Sequence, residues 1–173
     1  MAEIEVPEGV QIGVNGNVVT TKGQLGENAR RFNDALISVV KEGSKISIKP
    51  TEFKKLRKKG MMAENSFAKE IMNDIYGVQK GYEKNMQSVF AHFPTAVEIS
   101  GKKILIKNFI GERAPRKVDI VGETKVEVKG QAVRVYGPSK DDVSQTCANI
   151  RKTCKIRRKD ERTFQDGLYF AVQ

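Results

Sequence analysis

Histidine is almost missing from this 173-residue chain, which has only His92; cysteine occurs twice, at Cys147 and Cys154, and tryptophan not at all. Each gap excludes chemistry. Zinc and other soft-metal sites need several His or Cys ligands at short spacing, and the chain offers neither CxxC nor HxxxH. No metal is expected. The two cysteines lie seven residues apart in a segment with helical periodicity. That spacing puts their Cα atoms about 10 Å apart, beyond disulfide reach, and both are expected as small core residues. No apolar run approaches the roughly 20 residues that cross a bilayer. The opening MAEIEVPEGV has no basic flank before an apolar stretch. The expectation is a cytoplasmic protein with no membrane partner.

Catalytic machinery is scarce as well. Glycine-containing stretches lack GxxxxGK[ST] and GxGxxG spacing, so no nucleotide cofactor is expected. Neither cysteine has a histidine near it in sequence for nucleophilic activation. His92, in Phe90-Ala91-His92-Phe93-Pro94, sits between aromatics, where a packed or hydrogen-bonded structural role is expected. The chain reads as a non-enzyme with no cofactor and no small-molecule substrate.

What the chain has is positive charge. Thirty-one Lys and Arg face twenty-one Asp and Glu, a formal net charge of +10, which favours a polyanionic partner. The charge is uneven: residues 1–43 carry net −2, residues 44–93 +5 and residues 94–173 +7. The second half is therefore the candidate nucleic-acid surface. Three basic clusters stand out. Lys54-Lys55-Leu56-Arg57-Lys58-Lys59 is expected in a loop before Gly60. Arg113 to Arg116-Lys117 follows a Gly-Glu pair, with Arg30-Arg31 as its counterpart upstream. The segment from Arg151 to Arg162 holds Arg151, Lys152, Lys155, Arg157, Arg158, Lys159 and Arg162, and Lys140, Arg151 and Lys155 flank the apolar stripe of one helix. Aromatics near these clusters are Tyr136, Phe164 and Tyr169. With four Tyr and eight Phe in all, folded RNA held by backbone and shape is expected rather than stacked single strands.

The chain also repeats itself. PEGVQIGVNGNVVTTKGQLGE from Pro7 matches PTAVEISGKKILIKNFIGE from Pro94: a proline, an alternating Val-x-Ile strand, a turn at Gly16 or Gly101, a second β-branched strand and a closing Gly-Glu. Each copy predicts a hairpin. Lys45-Ile-Ser-Ile-Lys49 is read as the counterpart of Lys125-Val-Glu-Val-Lys129, with a third strand around 31–40 and 117–121. A helix follows in each copy: one from Asn65 or Ser66 carrying Ala68, Ile71, Met72 and Ile75 to a stop at Gly77, the other after Ser139, whose spacing to Asp142 suggests a cap and whose stripe is Val143, Cys147, Ile150 and Cys154. Tyr82 to Phe93, strand-like from Val89, is read as the join. The expected class is α+β: two tandem duplicated units, 1–80 and 81–173, each a small mainly antiparallel sheet covered by one helix.

With these residues in view, the chain resembles the universal large-subunit ribosomal protein six family in its archaeal and eukaryotic cytoplasmic form. The likeness rests on SVFAHFP at 88–94, NFIGE at 108–112 and RKDERTFQDGLYF at 158–170, and the modest length fits an archaeal member. It implies a structural, RNA-binding component of the large ribosomal subunit. The second unit would dock on large-subunit ribosomal RNA near the translation-factor site and sarcin–ricin loop, with neighbouring ribosomal proteins as further partners. The contacts implied belong to 155–162, the Gly167 tail with Tyr169, and the loop around Arg113. The rival expectation is a non-ribosomal protein-interaction module with a basic surface.

Overall fold

The structure, a computed structural model, describes residues 2–43, 45–50, 56–157, 159, 160 and 162–171. The chain divides into two compact units, Met1–Gly81 and Tyr82–Gln173. Each has its own buried apolar cluster. The α+β class holds, and within each unit the antiparallel strands are shared between two small sheets.

In the first unit β1 (Ala2–Glu5), β6 (Lys45–Pro50) and β5 (Ile37–Glu42) form one sheet in the order β1-β6-β5, and β2 (Gln11–Asn15), β3 (Val18–Lys22) and β4 (Glu27–Arg31) form the other. In the second unit β8 (Ala96–Ser100), β9 (Lys103–Lys107) and β10 (Arg116–Asp119) repeat the β2-β3-β4 sheet, and β7 (Tyr82–Val89), β12 (Ala132–Gly137) and β11 (Lys125–Lys129) repeat the other. The predicted hairpins form with two-residue connections. Gly16 and Gly101 turn them at φ 58° in both copies, a left-handed value that a side chain resists. A second glycine pair, Gly43 and Gly130, both at φ 60°, turns β5 into β6 and β11 into β12.

This second pair corrects the sequence alignment. Lys45–Lys49 lies in β6, whose counterpart is β12, whereas Lys125–Lys129 is β11, the counterpart of β5. The third strands of the β2 and β8 sheets run at 27–31 and 116–119, and 32–36 is a loop. Tyr82–Val89 is no linker but the first strand of the second unit, the counterpart of β1. One strand has no counterpart: β13 (Gly167–Phe170) pairs along the other side of β7, a place that no strand takes on β1 among the described residues.

Helix α1 (Arg57–Lys80) is 24 residues long and packs on β6, β1 and β3. It starts a good two turns before the sequence reading, so Arg57, Lys58 and Lys59 are helical; Lys54 and Lys55 lie outside the described residues. Ala68, Ile71 and Ile75 are buried as expected, but Met72 is 54% exposed. Helix α2 (Lys140–Thr153) is built as predicted. Ser139 accepts a hydrogen bond from the Asp142 amide, Asp141 and Asp142 occupy the first turn, and Arg151 and Lys152 the last, the arrangement that complements the helix dipole. Val143, Cys147, Ile150 and Cys154 are all buried, and both cysteines are free.

Candidate nucleic-acid interface

The C-terminal end of α2, strand β10 and the segment after the helix meet around a groove of about 810 Å³. Lys117 comes from β10, Lys152 from the last turn of α2, and Lys155, Arg157 and Lys159 from the segment that follows. Asn149 and Thr153, on the same helix face as Lys152, contribute polar groups, and Ile110, Val118 and Ile156 form apolar parts of the wall. A second concavity of about 400 Å³ shares Lys152, Lys155 and Ile156 with the first and adds Arg151, Phe164, Gly167 and Tyr169. Residues 151–157 and 159 and the 167–170 strand thus line two concavities that share basic residues.

Arg116 lines the same groove but is committed to the fold. Its Nε and Nη2 donate to the two carboxylate oxygens of Glu112 at 2.8 and 2.5 Å, its Nη1 donates to the Thr153 carbonyl at 2.5 Å, and its guanidinium lies 4.4 Å from the centre of the Phe109 ring. The hydrogen bonds from Arg116 hold the Glu112 carboxyl below its ordinary value, and in return raise Arg116 further. Beneath it the backbone bends sharply. Asn108, Ile110 and Gly111 all have positive φ, of 56°, 51° and 74°. For a β-branched residue such as Ile110 this is a strained conformation. Phe109, 1% exposed, anchors it, with an Asn108 side-chain bond to the Pro94 carbonyl.

An arginine of the fourth strand ties down the helix in the first unit too. Arg30 on β4 grips Asp74 of α1 through Nε and, at 3.0 Å, through Nη2, and reaches Glu70 at 3.4 Å. Asp74 is 3% exposed.

The other predicted positions fall as follows. Arg113 is exposed on the loop before β10, outside the groove lining. Lys140 begins α2, about 18 Å of helix from Lys152, with its amino group over the Tyr82 ring. Arg162 is exposed and bonded locally to Asp160, whose carboxyl is lowered first by the Arg162 amide and then by its side chain. Gly167 is buried, and a Cβ there would sit 3.1 Å from the Tyr169 ring, so its smallness is what lets that ring lie back over the strand. Arg158 lies outside the described residues. Tyr136 donates to Glu127 at 2.8 Å, away from both concavities. His92 stacks on Phe164 at 5.4 Å, with Lys159 4.2 Å from the centre of that ring, and its Nδ1 is 3.7 Å from the buried Asp166, whose other oxygen takes the Ala91 amide.

The sequence reading missed Asn149 and Asp119 as groove residues. Asn149 could have been found, since it stands three and four residues before Lys152 and Thr153 on a helix already assigned. Asp119, 3.7 Å from Lys103, gave no signal.

The groove carries six cations, Arg116 included, and two carboxylates, of which Glu112 is held by Arg116. Such a surface suits a run of phosphates. A family model described as Ribosomal protein L6 matches residues 93–167. The chain is 46% identical over 168 residues to the large ribosomal subunit protein uL6 of Methanocella arvoryzae, covering 96% of this chain and 93% of that one. It is 41% identical to the protein of the same name from Methanobrevibacter smithii, covering 96% and 92%, and 42% identical to that of Methanosarcina mazei, covering 96% and 93%.

Proposed function

This chain belongs to the ribosomal protein L6 family, and on that premise we propose that its second unit holds folded large-subunit ribosomal RNA in the basic groove, beside the translation-factor site and sarcin–ricin loop. Its role is structural: a non-enzymatic constituent of the large subunit of the cytoplasmic ribosome, of archaeal type. Membership disposes of the rival expectation of a non-ribosomal interaction module.

The observation that carries the RNA reading is the convergence of Lys117, Lys152, Lys155, Arg157 and Lys159 on one groove while Arg116 fixes the walls. Cations on a rigid frame neutralise phosphates at fixed spacing, which positions RNA without reading its bases. No aromatic side chain lines the groove among the described residues, Phe164, Tyr169 and Phe170 belonging to the adjoining concavity, and such a lining suits a backbone contour better than splayed bases. The lysine and arginine side chains form the contact, and Gly167 and Phe109 shape it.

The test is chemical probing of large subunits assembled with and without the protein. Protection that appears in the sarcin–ricin loop region on adding the protein, and disappears with Lys152, Lys155 and Arg157 changed to Ala, is the expected outcome. Protection confined to other parts of the RNA refutes the location; none refutes the RNA reading.

A further inference from the structure

Helix α1 buries Phe67, Ile71, Ile75 and Val78 against its sheets. Its outward face is unlike that of an ordinary solvated helix. Its exposed positions carry five cations, three methionines and a tyrosine, and no carboxylate. Glu64 and Asp74 are buried, and Glu70 is half-buried and faces Arg30.

Met61 is 51% exposed, Met62 69%, Met72 54% and Tyr76 47%. At about 100° of turn per residue the four fall within an arc of about 100°, and Lys58, Lys69 and Lys80 share it. Single exposed apolar residues are ordinary, but a stripe of large ones is a mark of an interaction surface. Methionine supplies an adaptable apolar contact. The first turn adds Arg57, Lys58 and Lys59 at the positive end of the helix dipole, with no acid and no side-chain cap, an arrangement that a negatively charged neighbour relieves.

We propose that this face of α1 docks an acidic amphipathic helix of a neighbouring protein, its apolar residues on the methionine and tyrosine stripe and its carboxylates against Lys58, Lys69 and Lys80. Charge complementarity selects the acid, and the stripe selects protein over RNA. An RNA duplex would satisfy the lysines but press four large apolar side chains against phosphates.

The test places the photo-cross-linker benzoylphenylalanine at Met72, with Asn65 on the same arc as a second position, in purified large subunits. Gradient fractions are first checked for the substituted protein, so that failed assembly is not read as an empty face. An adduct is expected with a protein segment that has apolar residues every three or four positions and flanking acids. Its yield should fall at least fivefold when Lys69→Glu and Lys80→Glu are combined. An adduct with RNA or with a basic segment, no adduct from subunits carrying the protein, or a yield indifferent to charge reversal each overturns the proposal.

Discussion

If five groove cations neutralise five phosphates, the affinity for RNA must fall steeply with salt. With Lys117, Lys152, Lys155, Arg157 and Lys159 engaged, the slope of log K against log salt is about −0.9 per phosphate, or about −4.5. A rise from about 50 to 200 mM salt then weakens binding about 500-fold. Changing Lys152, Lys155 and Arg157 together to Ala leaves two contacts, a slope of about −1.8 and a loss over the same range of only about 12-fold. Arg116→Gln is the informative contrast. Its donors are held by Glu112 and Thr153, so it is expected to lower the unfolding midpoint and leave the slope nearly unchanged. Fluorescence anisotropy with a labelled large-subunit RNA fragment, in a salt series, reads both quantities. A triple variant with the parent slope refutes the assignment of the groove, and an Arg116→Gln slope reduced as much as the triple's refutes the division between fold and contact.

Three further outcomes test the framework that presents the groove. Asp74→Ala leaves the Arg30 guanidinium, 18% exposed, without its main partner, and urea unfolding followed by circular dichroism should show a loss of about 3 kcal/mol; a loss within experimental error means that the pair does not tie β4 to α1. Because Arg116 depresses the Glu112 carboxyl below its ordinary 4.5, the stability this pair supplies is present above that value and lost as pH falls through the lowered one. The gap in urea midpoint between the parent and Glu112→Gln should therefore be constant near neutrality and shrink below about pH 4.5, and a gap that does not change with pH contradicts the pairing. Burial pushes the Cys154 thiol up to about 11 and raises Cys147 as well, so neither should react with a thiol reagent at pH 8 until urea unfolds the chain; rapid labelling of the folded protein would show that the α2 stripe is open.

Much of this fold could be read from the chain because its signals were local. Gly16 and Gly101 announce hairpins by themselves, and Ser139 with Asp142 announces a helix start. The strand equivalence failed because five-residue strands with alternating apolar residues and lysines at both ends look alike, and only pairing partners tell β6 from β11. β7 was hidden because its inward positions include Lys84 and Ser88 as well as Met86, which blurs the two-residue alternation. The first turns of α1 were hidden by lysines and by Gly60, a residue usually read as a stop but here buried. Charge pointed to the segment that lines the groove, but it could not separate Arg116, which braces the walls, from Lys117 beside it, nor set Lys140 apart from the cluster at the other end of its helix. Those distinctions depend on where β10 meets α2, a contact between residues nearly forty positions apart.

Strand β13 has a consequence for the order of events during synthesis. Gly167 pairs with Val89 and Phe170 with Met86, so a strand made about eighty residues later lies along the first strand of the unit. The Met1–Gly81 unit has all its strands in hand once α1 has emerged. The second unit waits: until Leu168 has been made, the cluster of Met86, Ile150 and Cys154 lacks one of its buried members, and Phe164, Gly167 and Tyr169 are not yet in place to wall the concavity beside the basic groove. The wall that β13 supplies is therefore set after the lysines of α2 and β10 are already made, so the cations of this unit precede the strand that frames them.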